Sequence, residues 1–206
     1  MPDSAPVGRR VIITIAAAFL AVIAASIATK AGDDDKVKSY GTFTDCSSLA
    51  TPVVTDDPRG DQRETKGGKV EASPQGDLVR LRLAKDAKGD RLCAEFQAAG
   101  EVKPYVAYVL TMRPQDAETP YLQLETTVLG GEAPKAMLDV SGTGKDFRTI
   151  PATVGIKGDK LSVVVSKAPF AAQGKGAIFA SFRFQARSAV AAKDEARLTD
   201  CLPVCQ

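Results

Sequence analysis

Val79-Arg80-Leu81-Arg82-Leu83 and Leu92-Cys93-Ala94-Glu95-Phe96-Gln97, joined through Lys85-Asp86-Ala87-Lys88-Gly89-Asp90, are the stretch whose reading decides the fold. In each run an apolar side chain recurs at every second position, which is the period of a strand with one buried face and not that of a helix. The connection is made of turn-forming residues, so the two runs are expected to form an antiparallel hairpin. In that hairpin Arg80 or Arg82 would face Glu95 across the strands.

The same pattern continues outward. Residues 105–112 are nearly all apolar and β-prone, as expected of a central strand buried on both faces. Further on, Leu122 and Leu124 alternate with Tyr121, Gln123 and Glu125, and a shorter run spans 136–140. Residues 153–156 and 161–166 flank Lys157-Gly158-Asp159-Lys160, the clearest hairpin signal in the chain. Ile178, Ala180, Phe182, Phe184 and Ala186 close the series, with Ser181, Arg183, Gln185 and Arg187 expected to face water. About eight strands with frequent turns predict an all-β fold, an antiparallel β-sandwich. Residues 189–198 are read as a short helix.

The chain has 206 residues, 25% charged and 44% hydrophobic, the balance of one folded domain. A net charge of +2 without a Lys/Arg cluster argues against nucleic-acid binding. There is no His, which removes the usual base of Ser and Cys hydrolases and a principal zinc and haem ligand, and no cofactor is expected. There is no Trp either, so a sugar-binding face would have to use tyrosines such as Tyr105, Tyr108 and Tyr121, which are the ligand-surface candidates, or Tyr40. The bias toward Ala, Gly, Arg and Asp fits a GC-rich bacterial source.

Before the β-rich part, residues 11–29 carry no charge, with Arg9 and Arg10 ahead of them and Asp33 to Asp35 behind. That pattern predicts one transmembrane or signal helix, and the charge asymmetry puts residues 1–10 in the cytoplasm and the rest outside. The length favours an uncleaved single-pass anchor in the cell membrane. Ser26-Ile27-Ala28 is a cleavage signal for the alternative, a protein secreted after cutting near Ala28. Residues 30–55 read as a polar linker with a first ordered segment near Cys46, and 56–206 as the extracytoplasmic domain.

Export makes the cysteines interpretable: Cys46, Cys93, Cys201 and Cys205 are an even set in an oxidising compartment, so disulfides are expected. Only Cys201 and Cys205 are close together, which does not suit a Cys-only zinc site, and C-x-x-x-C is not the redox spacing. Cys93 shares a face with Glu95, on the polar side of its strand, where a leader or a tail could reach it. Cys201 and Cys205 lie where an unpinned chain frays. All three pairings stay open. The preferred one is long-range, Cys46 with one C-terminal cysteine and Cys93 with the other, over the local pairs Cys46 with Cys93 and Cys201 with Cys205.

Asp57-Pro58-Arg59-Gly60-Asp61, then Gly76-Asp77-Leu78 and Gly89-Asp90-Arg91-Leu92 each opening a strand, together with the late aromatic strand, give a pattern over about residues 56–190. It resembles bacterial exported sandwiches related to DOMON and family-9 carbohydrate-binding domains. The resemblance implies a sandwich fold and a sugar or haem ligand. This chain departs from both ligand classes, having Met112 and Met137 in place of a His or Met pair and no Trp platform, so the fold carries over and the ligand does not.

Other motifs fall away. Gly142-Thr143-Gly144-Lys145 lacks the first Gly of a phosphate loop and has Asp146 where Ser or Thr should follow. Arg59-Gly60-Asp61 sits in a turn where Gly and Asp are expected anyway. Asp56, Asp57 and Asp61 could share a calcium ion but match no established loop, so a solvated acidic turn is preferred. Asp116 and Glu118 read as loop surface. With no catalytic constellation and no metal site, the expected function is a non-enzymatic exported or membrane-anchored domain binding a cell-envelope component, such as a glycan, or a protein partner. A carboxylate-dependent glycan hydrolase is the alternative.

Overall fold

The computed structural model describes residues 41–61, 73–114, 122–139, 146–172, 174, 176, 182–192 and 195–202. These residues form eleven antiparallel strands in two sheets. The five-stranded sheet has the order β1 (Ala50–Asp56), β2 (Leu78–Lys85), β3 (Arg91–Ala98), β9 (Lys160–Ser166), β8 (Ala152–Lys157). The six-stranded sheet has the order β11 (Glu195–Leu202), β10 (Phe182–Ala192), β4 (Val106–Pro114), β5 (Leu122–Val128), β6 (Lys135–Asp139), β7 (Phe147–Thr149). The expected all-β, sandwich-like architecture is present. The N-terminal segment 11–29 lies outside the described residues. No helix among the described residues is long and apolar enough to cross a membrane.

Alternation builds the core. One row of the five-stranded sheet runs Leu83, Ala94, Val163, Val154, and the facing sheet offers Ala186, Leu110, Leu124, Leu138. All belong to one buried cluster. Phe96 of β3 and Tyr108 of β4 stack between the sheets with ring centroids 5.3 Å apart. The Tyr108 hydroxyl donates to the Gln75 carbonyl at 2.7 Å, tying the 3-10 turn Pro74–Gly76 over one end of the sandwich. Phe170, from the one-turn helix Ala168–Ala171, is also fully buried in this core.

The β2–β3 hairpin forms as expected, with Arg82 directly opposite Glu95. A register shift between Leu78 and Arg80 brings Leu78 into the core ahead of the regular alternation. At the β8–β9 turn Gly158 takes φ +60°, which a two-residue hairpin loop requires and a side chain would resist. β4 is central, between β10 and β5, as its apolar run predicts.

Two expectations are corrected. The described residues of 189–198 are not a helix: Ala189 to Ala192 end β10 and pair with Glu195 to Leu198 of β11. Segment 50–56, read as the end of a linker and the start of the domain, is strand β1 of the five-stranded sheet. The polar side of β5 is also buried, with Gln123 at 2% and Glu125 at 0% exposure.

Candidate functional site

The leader ahead of β1 crosses the outer face of the five-stranded sheet. The outward row under it is Gly155 of β8, Ser162 of β9, Glu95 of β3 and Arg82 of β2, neighbours in register. The leader meets Gly155 first, then Ser162, and then the Arg82–Glu95 pair. Phe43 lies against Gly155, where a Cβ would overlap the Phe43 backbone, so only glycine lets the two chains approach. The Thr44 N–H donates to Ser162 Oγ at 3.0 Å. The Cys46 N–H donates to Glu95 Oε2 at 3.2 Å, and Asp45 Oδ1 stands 3.5 Å from Arg82 NH1. Asp45 also caps the 3-10 turn Cys46–Ser48 by accepting from the Ser47 N–H. The chain therefore spans the sheet from β8 to β2 before it becomes β1.

Cys46 is bonded to Cys93 in the adjacent outward row, with Cα atoms 5.7 Å apart. Both cysteines are fully buried with Ala84, and Leu49 and Val164 pack around them. The preferred long-range pairing is thus overturned for these two residues. The expected face of Cys93 is correct, and it is the leader, already lying over that face, that supplies the partner. Cys201 lies in β11 opposite Arg187, and Cys205 is outside the described residues.

Glu95 is the polar centre of this face. It is 2% exposed, and its Oε1 accepts from Arg82 NH1 at 3.0 Å and lies 3.5 Å from Lys160 Nζ. Two cations and one backbone N–H compensate a carboxylate that could not be buried alone. The sequence reading offered Arg80 or Arg82 across from Glu95, and the partner is Arg82. It missed Lys160, Ser162 and the leader, although a glycine inside the β8 pattern was a signal of close backbone approach.

Among the described residues, the far edge of β1 has no strand beside it. The Asp57 N–H donates to the Val79 carbonyl at 3.0 Å, so by antiparallel alternation Val53 and Thr55 also turn their backbone groups to β2. Val54 and Asp56 turn theirs away, and among the described residues no strand pairs with that edge. Val53 and Val54 are the exposed large hydrophobics of the described residues, at 52% and 46%. Val53 is in register with core-facing Leu83 of β2 and yet stays open. Asp56 and Arg80, exposed partners in register, form an ion pair at the end of this edge.

The other candidates disperse. Tyr108 is 0% exposed and is a core residue, not a ligand surface, and burial holds its hydroxyl well above the usual tyrosine range. Tyr105 is half-buried at φ +68° just before β4, its N–H donating to Val128, and Tyr121 lies outside the described residues. Of the acidic turn, Asp56 is engaged with Arg80, while Asp57 gathers with Asp61 and Asp77. Asp77 Oδ2 accepts from the Gly60 N–H at 2.8 Å. Burial, then the charges of Asp61 and Asp77, push the Asp57 carboxyl up to about 6. No three acidic or cysteine side chains among the described residues converge as a metal-binding set. On β5, neither oxygen of buried Glu125 has a hydrogen-bond partner, and burial pushes its carboxyl up to about 8.

Compared with known proteins, the chain matches no family model, no curated protein and no solved structure.

Proposed function

We propose that this chain is a non-enzymatic β-sandwich domain displayed on the outer side of a membrane, held by residues 11–29, where it binds a protein partner or another envelope component. The observation that carries the reading is the Cys46–Cys93 disulfide. Such bonds persist in oxidising compartments and are rare in reducing ones, which agrees with the charge-flanked apolar segment upstream. The bond also pins the leader at the point where a tether enters the fold, so an anchored domain would be held through β3, an interior strand of its sheet. The open edge of β1, with its exposed valines, is a surface that a partner's extended segment can complete by hydrogen bonding.

Protease added to intact cells or spheroplasts tests the display. The domain beyond Lys30 should be digested while residues 1–10 are spared, and a domain protected until the membrane is broken contradicts the reading. Incubation with envelope polysaccharides tests the absence of catalysis. Retention without turnover agrees with the proposal, and new reducing ends would favour the carboxylate-dependent hydrolase.

A further inference from the structure

We infer that the open edge of β1 is a self-association surface whose occupant is β1 of a second copy of this chain. The edge is self-complementary when read antiparallel. Centring the pair on Val54 lets the two Val54 residues exchange both backbone hydrogen bonds. The same register sets each Asp56 beside the partner's Pro52, which has no N–H to leave unpaired.

Side chains agree with that register. On the outer face Val54 meets Val54, and on the core side Val53 meets Thr55, so the two exposed valines of the described surface are covered together. Asp56 faces Pro52, and no like charges oppose one another. Shifting the centre to Thr55 would set Val54 against Asp56, beside its ion pair with Arg80, which loses the apolar match.

The position of the leader makes this edge available. The chain comes onto the sheet at β8 and crosses it, so β1 lies about 19 Å away, four strand spacings from the side where the tether arrives. A single edge-to-edge strand pair covers little area, below that of stable complexes, so association in dilute solution is expected to be weak. The inference rests on the display reading for its strength, because confinement to one membrane raises the effective concentration of copies.

The test is cysteine cross-linking in the full-length chain in its own membrane, with V54C, V53C, T55C and the turn variant A87C compared under mild oxidation. V54C should give severalfold more covalent dimer than A87C. V53C and T55C should cross-link when co-expressed and little when alone, and Val54→Lys should abolish association. A non-reduced digest that retains the Cys46–Cys93 link shows that each variant is folded. If the chain is in the membrane fraction and V54C dimerises no more than A87C, or links to a different protein, the inference is overturned. If the chain is not in the membrane fraction, the display reading fails, and sedimentation of the concentrated full chain decides the edge separately. Dimer that Val54→Lys removes upholds it, and monomer at every concentration overturns it.

Discussion

The backbone N–H of Cys46 donates to Glu95 Oε2 at 3.2 Å, while the side chain of the same cysteine is bonded to Cys93, two residues before Glu95 on the same face of β3. A covalent bond and a charge-assisted hydrogen bond thus fix one residue of the leader on neighbouring rows of the sheet. Their consequences can be separated by mutation.

Glu95→Ala should cost more than an ordinary side-chain truncation. It leaves Arg82 and Lys160 facing each other under the leader without their shared anion, and leaves the Cys46 N–H buried without an acceptor. Removing one member of a buried ionic group costs about 3–5 kcal/mol, reduced here because Arg82 and Lys160 are partly solvated. Urea unfolding with the disulfide intact should show a loss of about 2–4 kcal/mol, with Glu95→Gln losing less because it keeps an acceptor for Cys46. Equal stability of Glu95→Ala and wild type would show that this carboxylate does not hold the leader.

Gly155→Ala should loosen the first part of the leader and spare the sheet. The added methyl overlaps the Phe43 backbone, which cannot rotate aside as a side-chain tip can. Limited proteolysis should then cut near residues 41–45 well before β8 or β9, at a stability cost of about 1–3 kcal/mol. An unchanged digestion pattern would contradict the close crossing.

How much of this was legible depends on where each residue finds its partners. The β2–β3 and β8–β9 hairpins were readable because strand period and turn chemistry are local. The Ala189-to-Leu198 stretch was misread because Ala, Glu and Arg favour helix in isolation, and only pairing with β4 and across the β10–β11 hairpin makes its described residues strand. β1 was hidden by Pro52 and by its polar ends, which are features of an edge strand. The face of Cys93 followed from alternation, but its partner depended on the path of a leader with no periodic pattern. The burial of Glu125 was likewise invisible, since alternation gives a strand two faces without saying whether the second one is covered.

The domain should be more stable in mild acid than at neutral pH. Glu125 holds its proton up to about 8 when folded but has an ordinary value of 4.5, so between those limits the unfolded chain ionises first and stability falls as pH rises. Asp57, raised to about 6 from 3.8, adds a smaller loss with the same sign over the lower part of that range. Glu125→Gln should therefore raise stability at neutral pH by about 3 kcal/mol and flatten the slope from pH 5 to 8. Melting temperature followed across that range checks it, and a wild-type protein that gains stability from pH 5 to 8 would refute the assignment.

Replacing Cys46 and Cys93 together by Ala should destabilise the domain by about 4 kcal/mol, because the bond closes a loop with a sequence separation of 47 that contains β1 and β2. The loss should appear in chemical unfolding as a lower midpoint, with the leader becoming protease-sensitive. A double variant as stable as wild type would mean that the leader stays seated without the bond.

The most direct measurement is a non-reduced peptide map of the full-length protein taken from cells, with free thiols alkylated at lysis. A peptide containing Cys46 should be linked to one containing Cys93 in nearly all copies, leaving Cys201 and Cys205 to each other. Alkylated Cys46 and Cys93 would show that the chain matures in a reducing compartment, and a link from either of them to Cys201 or Cys205 would show that the leader does not cross the sheet as described.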